Sequence, residues 1–237
     1  MPDISLGPVA GGSRELTGYL AVPDGAGPWP GVVSLHEALG LDDIQRRLAD
    51  RLAEAGYLTL APDLFSDGGA RRCLISTFRA LFARKGKPFA DIEAARTHLL
   101  EDERCTGKVG VIGFCMGGGF ALVTAGSGFD AAAPNYGALP RNAEQVLAGA
   151  CPIVGSYGGK DVSLRGAAGK LERVLTTLDV PHDVKEYPGA GHSFLNDRPF
   201  GPAITHPLQR IAHLGPDPDA AADAWRRIEA FFGEHLG

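Results

Sequence analysis

Compact apolar, mostly β-branched runs alternate along this chain with stretches whose apolar residues recur every three to four positions, and that alternation limits its fold more than any other feature. The run GVVSL (31–35) reads as a buried strand; Asp42 and Asp43 can then cap a helix that places Ile44, Leu48, Leu52 and Ala55 on one face and closes at Gly56. YLTLA (57–61) is the next strand, ended by Pro62. Helices are expected over 72–84 and 88–100, the second entered through proline, and over 115–125 and 164–178; strands are expected over 16–22, 108–113, 131–136, 152–157 and 183–187. A last helix lines up Ala221, Trp225, Ile228 and Phe232. Repeated strand-then-helix units predict an α/β fold, a mostly parallel sheet covered by helices on both faces. With no long linker or repeat in 237 residues, one domain over 1–237 is expected.

Composition narrows the function classes. Residues are 44% hydrophobic and 22% charged, an ordinary globular profile, and the formal charge of −5 argues against nucleic acid as a partner. No run is long and apolar enough for a membrane span, and the start lacks the basic and apolar regions of a signal peptide, so a cytoplasmic protein with no membrane partner is expected. Cys73, Cys105, Cys115 and Cys151 are scattered without a CxxC pair, so neither a disulfide scaffold nor a metal site is expected, and no cofactor is called for. Nothing in the sequence fixes an oligomeric state, and a monomer is compatible with it.

In a parallel sheet, function gathers in the loops beyond the carboxyl ends of the strands. Those loops hold His36-Glu37-Ala38, GFCMG (113–117), Asn135-Tyr136-Gly137, GGKD ending at Asp161 and GAGH ending at His192. Cys115 sits between glycines where an apolar run stops. It is either a small buried hydrophobe or the nucleophile of a tight strand-to-helix elbow, with cysteine in the serine position. A dinucleotide fingerprint fits poorly, because Cys115 occupies the place of the second glycine. The chain order Cys115, Asp161, His192 is that of nucleophile, acid and base in α/β-hydrolases, with room for a strand and a helix in each interval.

HEALGL after the strand GVVSL, then APDLF, GFCMGG, GGKD and GAGHSF, in that order and over nearly the whole chain, resemble the dienelactone hydrolase family (carboxymethylenebutenolidase-like) of α/β-hydrolases. The resemblance implies a single α/β-hydrolase domain with Cys115 as nucleophile, His192 as base and then acid, Asp161 orienting it, and Glu37 in contact with the resting thiol. The backbone N–H groups of Met116 and Ala38 would receive the oxyanion. His36 reads as a packed or hydrogen-bonding residue.

The expected substrate is a small activated ester or lactone, with enol lactones such as dienelactone, aryl esters and thioesters in the class. A thiolate leaves a tetrahedral adduct more readily than an alkoxide does, so peptides and simple alkyl esters would mostly revert. Family members that act on dienelactone hold its carboxylate with arginines, one of them four residues after the histidine; this chain has Asn196 there. Arg72, in a patch with Arg71 and Arg79, and Arg198 are the candidates to replace it, and Tyr136 is a candidate pocket residue. A carboxylate near the scissile carbonyl is therefore expected to be preferred, less strongly than in those relatives. Two other readings are a receptor that keeps the fold without turnover and a thiol redox sensor using Cys115.

Overall fold

The structure, a computed structural model, describes residues 3–237; Met1 and Pro2, within the expected domain 1–237, lie outside the described residues. Eight strands form one sheet: β1 (Asp3–Gly7), β2 (Leu16–Ala21), β3 (Trp29–Leu35), β4 (Leu58–Pro62), β5 (Cys105–Phe114), β6 (Ala131–Asn135), β7 (Ile153–Gly158) and β8 (His182–Tyr187), in the order β1-β2-β4-β3-β5-β6-β7-β8. Strands β1 and β2 run antiparallel at one edge, and β3 to β8 are parallel. This is the expected mostly parallel α/β architecture.

Strand β3 lies between β4 and β5 because its residues alternate between two apolar layers. Val33 and Leu35 join the layer holding Ile92, Leu99, Phe120 and Leu171, whereas Val32 joins that of Leu48, Leu52, Trp225, Ile228 and Phe232. Helices α3 (Lys87–Glu101), α4 (Met116–Thr124) and α6 (Ala167–Thr177) therefore cover one face, and α1 (Asp43–Glu54) and α8 (Pro218–Leu236) the other. Burying each such Leu, Ile or Phe side chain contributes about 1.5–3 kcal/mol, which keeps β5 at the centre of the sheet.

Several boundaries differ from expectation. Pro62 is itself the last residue of β4, paired with Gly18, and Tyr57 precedes the strand. The helix expected from 164 starts at Ala167, after a 3₁₀ turn at Val162–Leu164 that Asp161 caps. Strand β1 and the short helices α5 (Ala143–Leu147) and α7 (His206–Ile211) have no counterpart in the sequence reading. Helix α2 (Ala70–Ala83) buries only Thr77 and Leu81. No helix among the described residues is long and apolar enough to cross a membrane.

Candidate active site

Strand β5 ends at Phe114 and α4 begins at Met116, so Cys115 alone makes the turn, at φ +55° and ψ −113°. A non-glycine residue in such a conformation costs on the order of 1–3 kcal/mol, which the surroundings must hold. They do so through close backbone contacts: a Cβ on Gly113 would stand 2.0 Å from the Gly117 carbonyl oxygen, and one on Gly117 2.2 Å from that of Leu35. Only glycine fits at either position. Asn135, the last residue of β6, grips both sides of the turn. Its carbonyl accepts from the Cys115 N–H at 3.1 Å, and its Nδ2 donates to the Gly113 carbonyl at 3.3 Å.

Asp161 follows β7 and is buried. One of its oxygens accepts from the Ser163 hydroxyl at 2.6 Å and the Ser163 N–H at 3.0 Å; the other lies 2.5 Å from His192 Nδ1. Burial alone would push the Asp161 carboxyl up, but hydrogen bonds from His192 and Ser163 outweigh it and hold the group below the usual carboxylate range. The carboxylate therefore holds the Nδ1 proton of His192 and leaves Nε2 to the Cys115 sulfur. Burial pulls the His192 imidazole down, yet Asp161 and the nearby Cys115 sulfur together raise it to about 10. The backbone of His192 is strapped on both sides: its N–H donates to the His213 carbonyl at 3.0 Å, and its carbonyl accepts from Gly215 N–H at 2.8 Å.

The loop after β3 supplies a second polar wall. His36 is fully buried; its Nε2 accepts from the Leu64 N–H at 3.1 Å, so Nδ1 carries the proton and donates to the Glu37 carbonyl at 2.7 Å. Burial pulls this imidazole below its ordinary value and keeps it neutral. Gly40 N–H donates to the same carbonyl at 3.2 Å. Because a peptide unit is planar and trans, fixing the Glu37 carbonyl aims the Ala38 N–H of the same unit the opposite way. That N–H has no protein acceptor, nor has the N–H of Met116, the first residue of α4, where a helix leaves its donors unpaired. Two donors are thus free beside Cys115, one on the loop after β3 and one at the start of α4.

The Glu37 side chain faces Ser193, His192, Asn196 and Tyr136; burial pushes its carboxyl up, and these four neighbours partly offset that. Asn196 Nδ2 donates to Glu37 Oε2 at 3.4 Å. No hydrogen bond runs from Glu37 to the thiol. Tyr136, at φ +39° and buried, packs its ring 5.1 Å from the His192 ring. Burial, with Glu37 and Cys115 close by, pushes its phenol well up.

Of the residues singled out in the sequence, the structure brings Cys115, Asp161, His192, Glu37 and Tyr136 together, with the backbones of Met116 and Ala38 beside them. Arg72 stands exposed on the first turn of α2, and Arg198 is exposed and pairs with Asp197 at 3.5 Å. Neither is bonded to the cluster. Burial pushes the Cys151 thiol up to about 12 and also raises Cys73, which keeps both as inert thiols. Among the described residues no group of three or more His, Cys, Asp or Glu is placed to hold a metal ion.

Sequence reasoning passed over Ser163 and, although it placed Asn135 in a post-strand segment, gave that residue no role. The spacing Asp-x-Ser after a glycine turn was a usable signal for Ser163. The grip of Asn135 on the elbow had no local signal, since it depends on β6 lying beside β5.

Comparison with known proteins places the chain in a family. The profile of the dienelactone hydrolase family matches residues 16–236. A carboxymethylenebutenolidase of Rhodococcus opacus is 30% identical over 92% of this chain and 86% of its own. Among solved structures, a dienelactone hydrolase-like promiscuous phosphotriesterase from metagenomic libraries superposes with a TM-score of 0.77 at 25% identity, covering 100% of this chain and 99% of that one. A dienelactone hydrolase of Anabaena variabilis, at 22% identity and TM-score 0.72 over 100% and 98% of the two chains, shares the fold. The chain belongs to the dienelactone hydrolase family and is a hydrolase acting on ester bonds.

Proposed function

We propose that the chain hydrolyses small activated carboxylic esters or lactones, enol lactones among them, through an acyl-enzyme on Cys115. The observation that carries this reading is the 2.5 Å hydrogen bond from His192 to Asp161 beside a thiol held at φ +55°. In the reaction the Cys115 sulfur, its proton held on His192 Nε2, attacks the carbonyl carbon. The oxyanion settles on the Met116 and Ala38 N–H groups, each such donor being worth about 3 kcal/mol of barrier. The carbon–oxygen bond to the leaving group then breaks, and His192 returns its proton to that oxygen. Water, deprotonated by His192, attacks the thioester and releases the acid and the thiol. Asp161 stabilises the imidazolium throughout.

Glu37 reaches the thiol only through the shared wall of His192 and Tyr136. His36 is a positioning residue, since it orients the Ala38 N–H and touches no reacting atom. Arg72, exposed on the first turn of α2, is the candidate cation for an anionic substrate. Activated leaving groups follow from the nucleophile, because the tetrahedral adduct expels sulfur unless the other group leaves comparably well.

The test is multiple-turnover hydrolysis of an aryl ester by the parent, Cys115→Ala and Cys115→Ser. Turnover by the parent, loss in the alanine variant and a rate well below the parent in the serine variant are expected. An alanine variant that retains parental activity overturns the mechanism. A parent that binds the ester but never turns it over favours a receptor, and reactivity toward peroxide far above that toward esters favours a redox sensor.

A further inference from the structure

Three side-chain atoms in the wall beside Cys115 are buried with no hydrogen-bond partner: Glu37 Oε1, the Tyr136 hydroxyl and Asn196 Oδ1. Tyr136 and Asn196 are only 1% and 2% exposed. Buried polar atoms in folded proteins nearly always have a partner, so three orphans in one wall mark a place where something else completes the bonding. They come from three separate segments, the loop after β3, the end of β6 and the loop after His192, and they adjoin one another. Asn196 Nδ2 reaches Glu37 Oε2, and the Tyr136 hydroxyl faces the same carboxyl without hydrogen-bond geometry.

Their chemistry restricts what can fill the place. Asn196 Oδ1 only accepts, the Tyr136 hydroxyl donates, and Glu37 brings a carboxyl rather than a cation. The arginines that reach the loop beside Asn196 are engaged there: Arg47 is held in a two-pronged bond to Asp197 at 2.6 and 2.9 Å, and Arg198 pairs with the same aspartate. A carboxylate here would meet Glu37 and an amide oxygen with only neutral hydroxyl donors, Tyr136 and Ser193, to hold it. A hydroxyl or primary amide could donate to Asn196 Oδ1 and accept from Tyr136.

We propose that Glu37, Tyr136 and Asn196 form an acyl-side subsite that takes a neutral hydroxyl or carboxamide substituent of the substrate and disfavours a carboxylate. The proposal rests on the reading that Cys115 is acylated, and it reverses the carboxylate preference expected from sequence.

The experiment uses aryl esters with one common phenol leaving group, whose acyl chains end in a methyl, hydroxyl, carboxamide or carboxylate. Each kcat/KM is divided by the spontaneous hydrolysis rate of that ester. The hydroxyl and carboxamide esters are expected to exceed the methyl ester by about tenfold, as one good hydrogen bond gives, and the carboxylate ester to fall below it. In Asn196→Leu and Tyr136→Phe the hydroxyl-to-methyl ratio, taken within each enzyme, should fall to about one. Equal rates across the parent panel would overturn the subsite alone and mean that the three groups satisfy one another. A carboxylate ester that is fastest also overturns it and hands selectivity to a cation such as Arg72. Absence of turnover throughout overturns the hydrolase mechanism, and the subsite falls with it.

Discussion

His36 and His192 each follow a parallel strand, each lies beside an aspartate, and each is largely buried, yet the two loops they anchor are built for opposite ends. At His192 the Asp161 oxygen is 2.5 Å away and aimed at Nδ1, which raises the imidazole to about 10 despite burial. At His36 the nearest Asp63 oxygen is 3.7 Å away and already accepts from the Phe65 N–H, while a backbone N–H occupies Nε2. Burial then wins, and His36 stays neutral. A histidine beside an aspartate is thus a proton carrier only where the carboxylate reaches one nitrogen and leaves the other to the reacting group. Where the backbone claims the second nitrogen, the same pair becomes a brace.

The sharpest way to break this contrast is to remove each ring. His192→Ala should lower kcat/KM for an aryl ester by about 10⁴-fold or more, as loss of a triad member does. His36→Ala should lower it by about 10²-fold, the size of a lost oxyanion donor, because the Glu37–Ala38 peptide is no longer fixed. Equal losses in the two variants, in protein that remains folded, would erase the distinction between carrier and brace.

A smaller effect separates them by pH. His192 titrates higher folded than its unfolded value of 6.5, so its contribution to stability is complete below 6.5 and fades as pH rises toward about 10. His36 titrates lower folded than unfolded, so its contribution holds above 6.5 and is lost as pH falls below it. Urea midpoints measured across that range should show His192→Asn flattening the alkaline fall and His36→Asn flattening the acid one. The same slope change in both variants would contradict the assigned protonation states.

How much of this was legible without coordinates follows the same division. Asp161 and His192 announce themselves because each follows a glycine turn, and Cys115 because it sits between glycines where an apolar run stops; short-range backbone geometry is written in short-range sequence. The parallel sheet was equally readable from Val32–Val33 and Val111–Ile112, whose neighbours face opposite apolar layers. What escaped depends on distant partners. Edge strand β1 exists through its pairing with β2, and the strap from His213 to Gly215 through its bonds to His192. The brace at His36 needs β4 beside β3, so that Leu64 meets a ring 28 residues earlier. Asn196 reaches Glu37 across 159 residues, and no local pattern records that pairing.

The central claim is that Cys115 carries the acyl group, and it is tested most directly by acid-quenching the parent enzyme during turnover of an aryl ester and mapping the adduct by peptide mass. The acyl mass should appear on the peptide containing Cys115 and on no peptide containing only Cys73, Cys105 or Cys151. It should accumulate in step with a burst of phenol and vanish in Cys115→Ala. A phenol burst with the adduct on another residue, or full turnover in Cys115→Ala, would contradict the account.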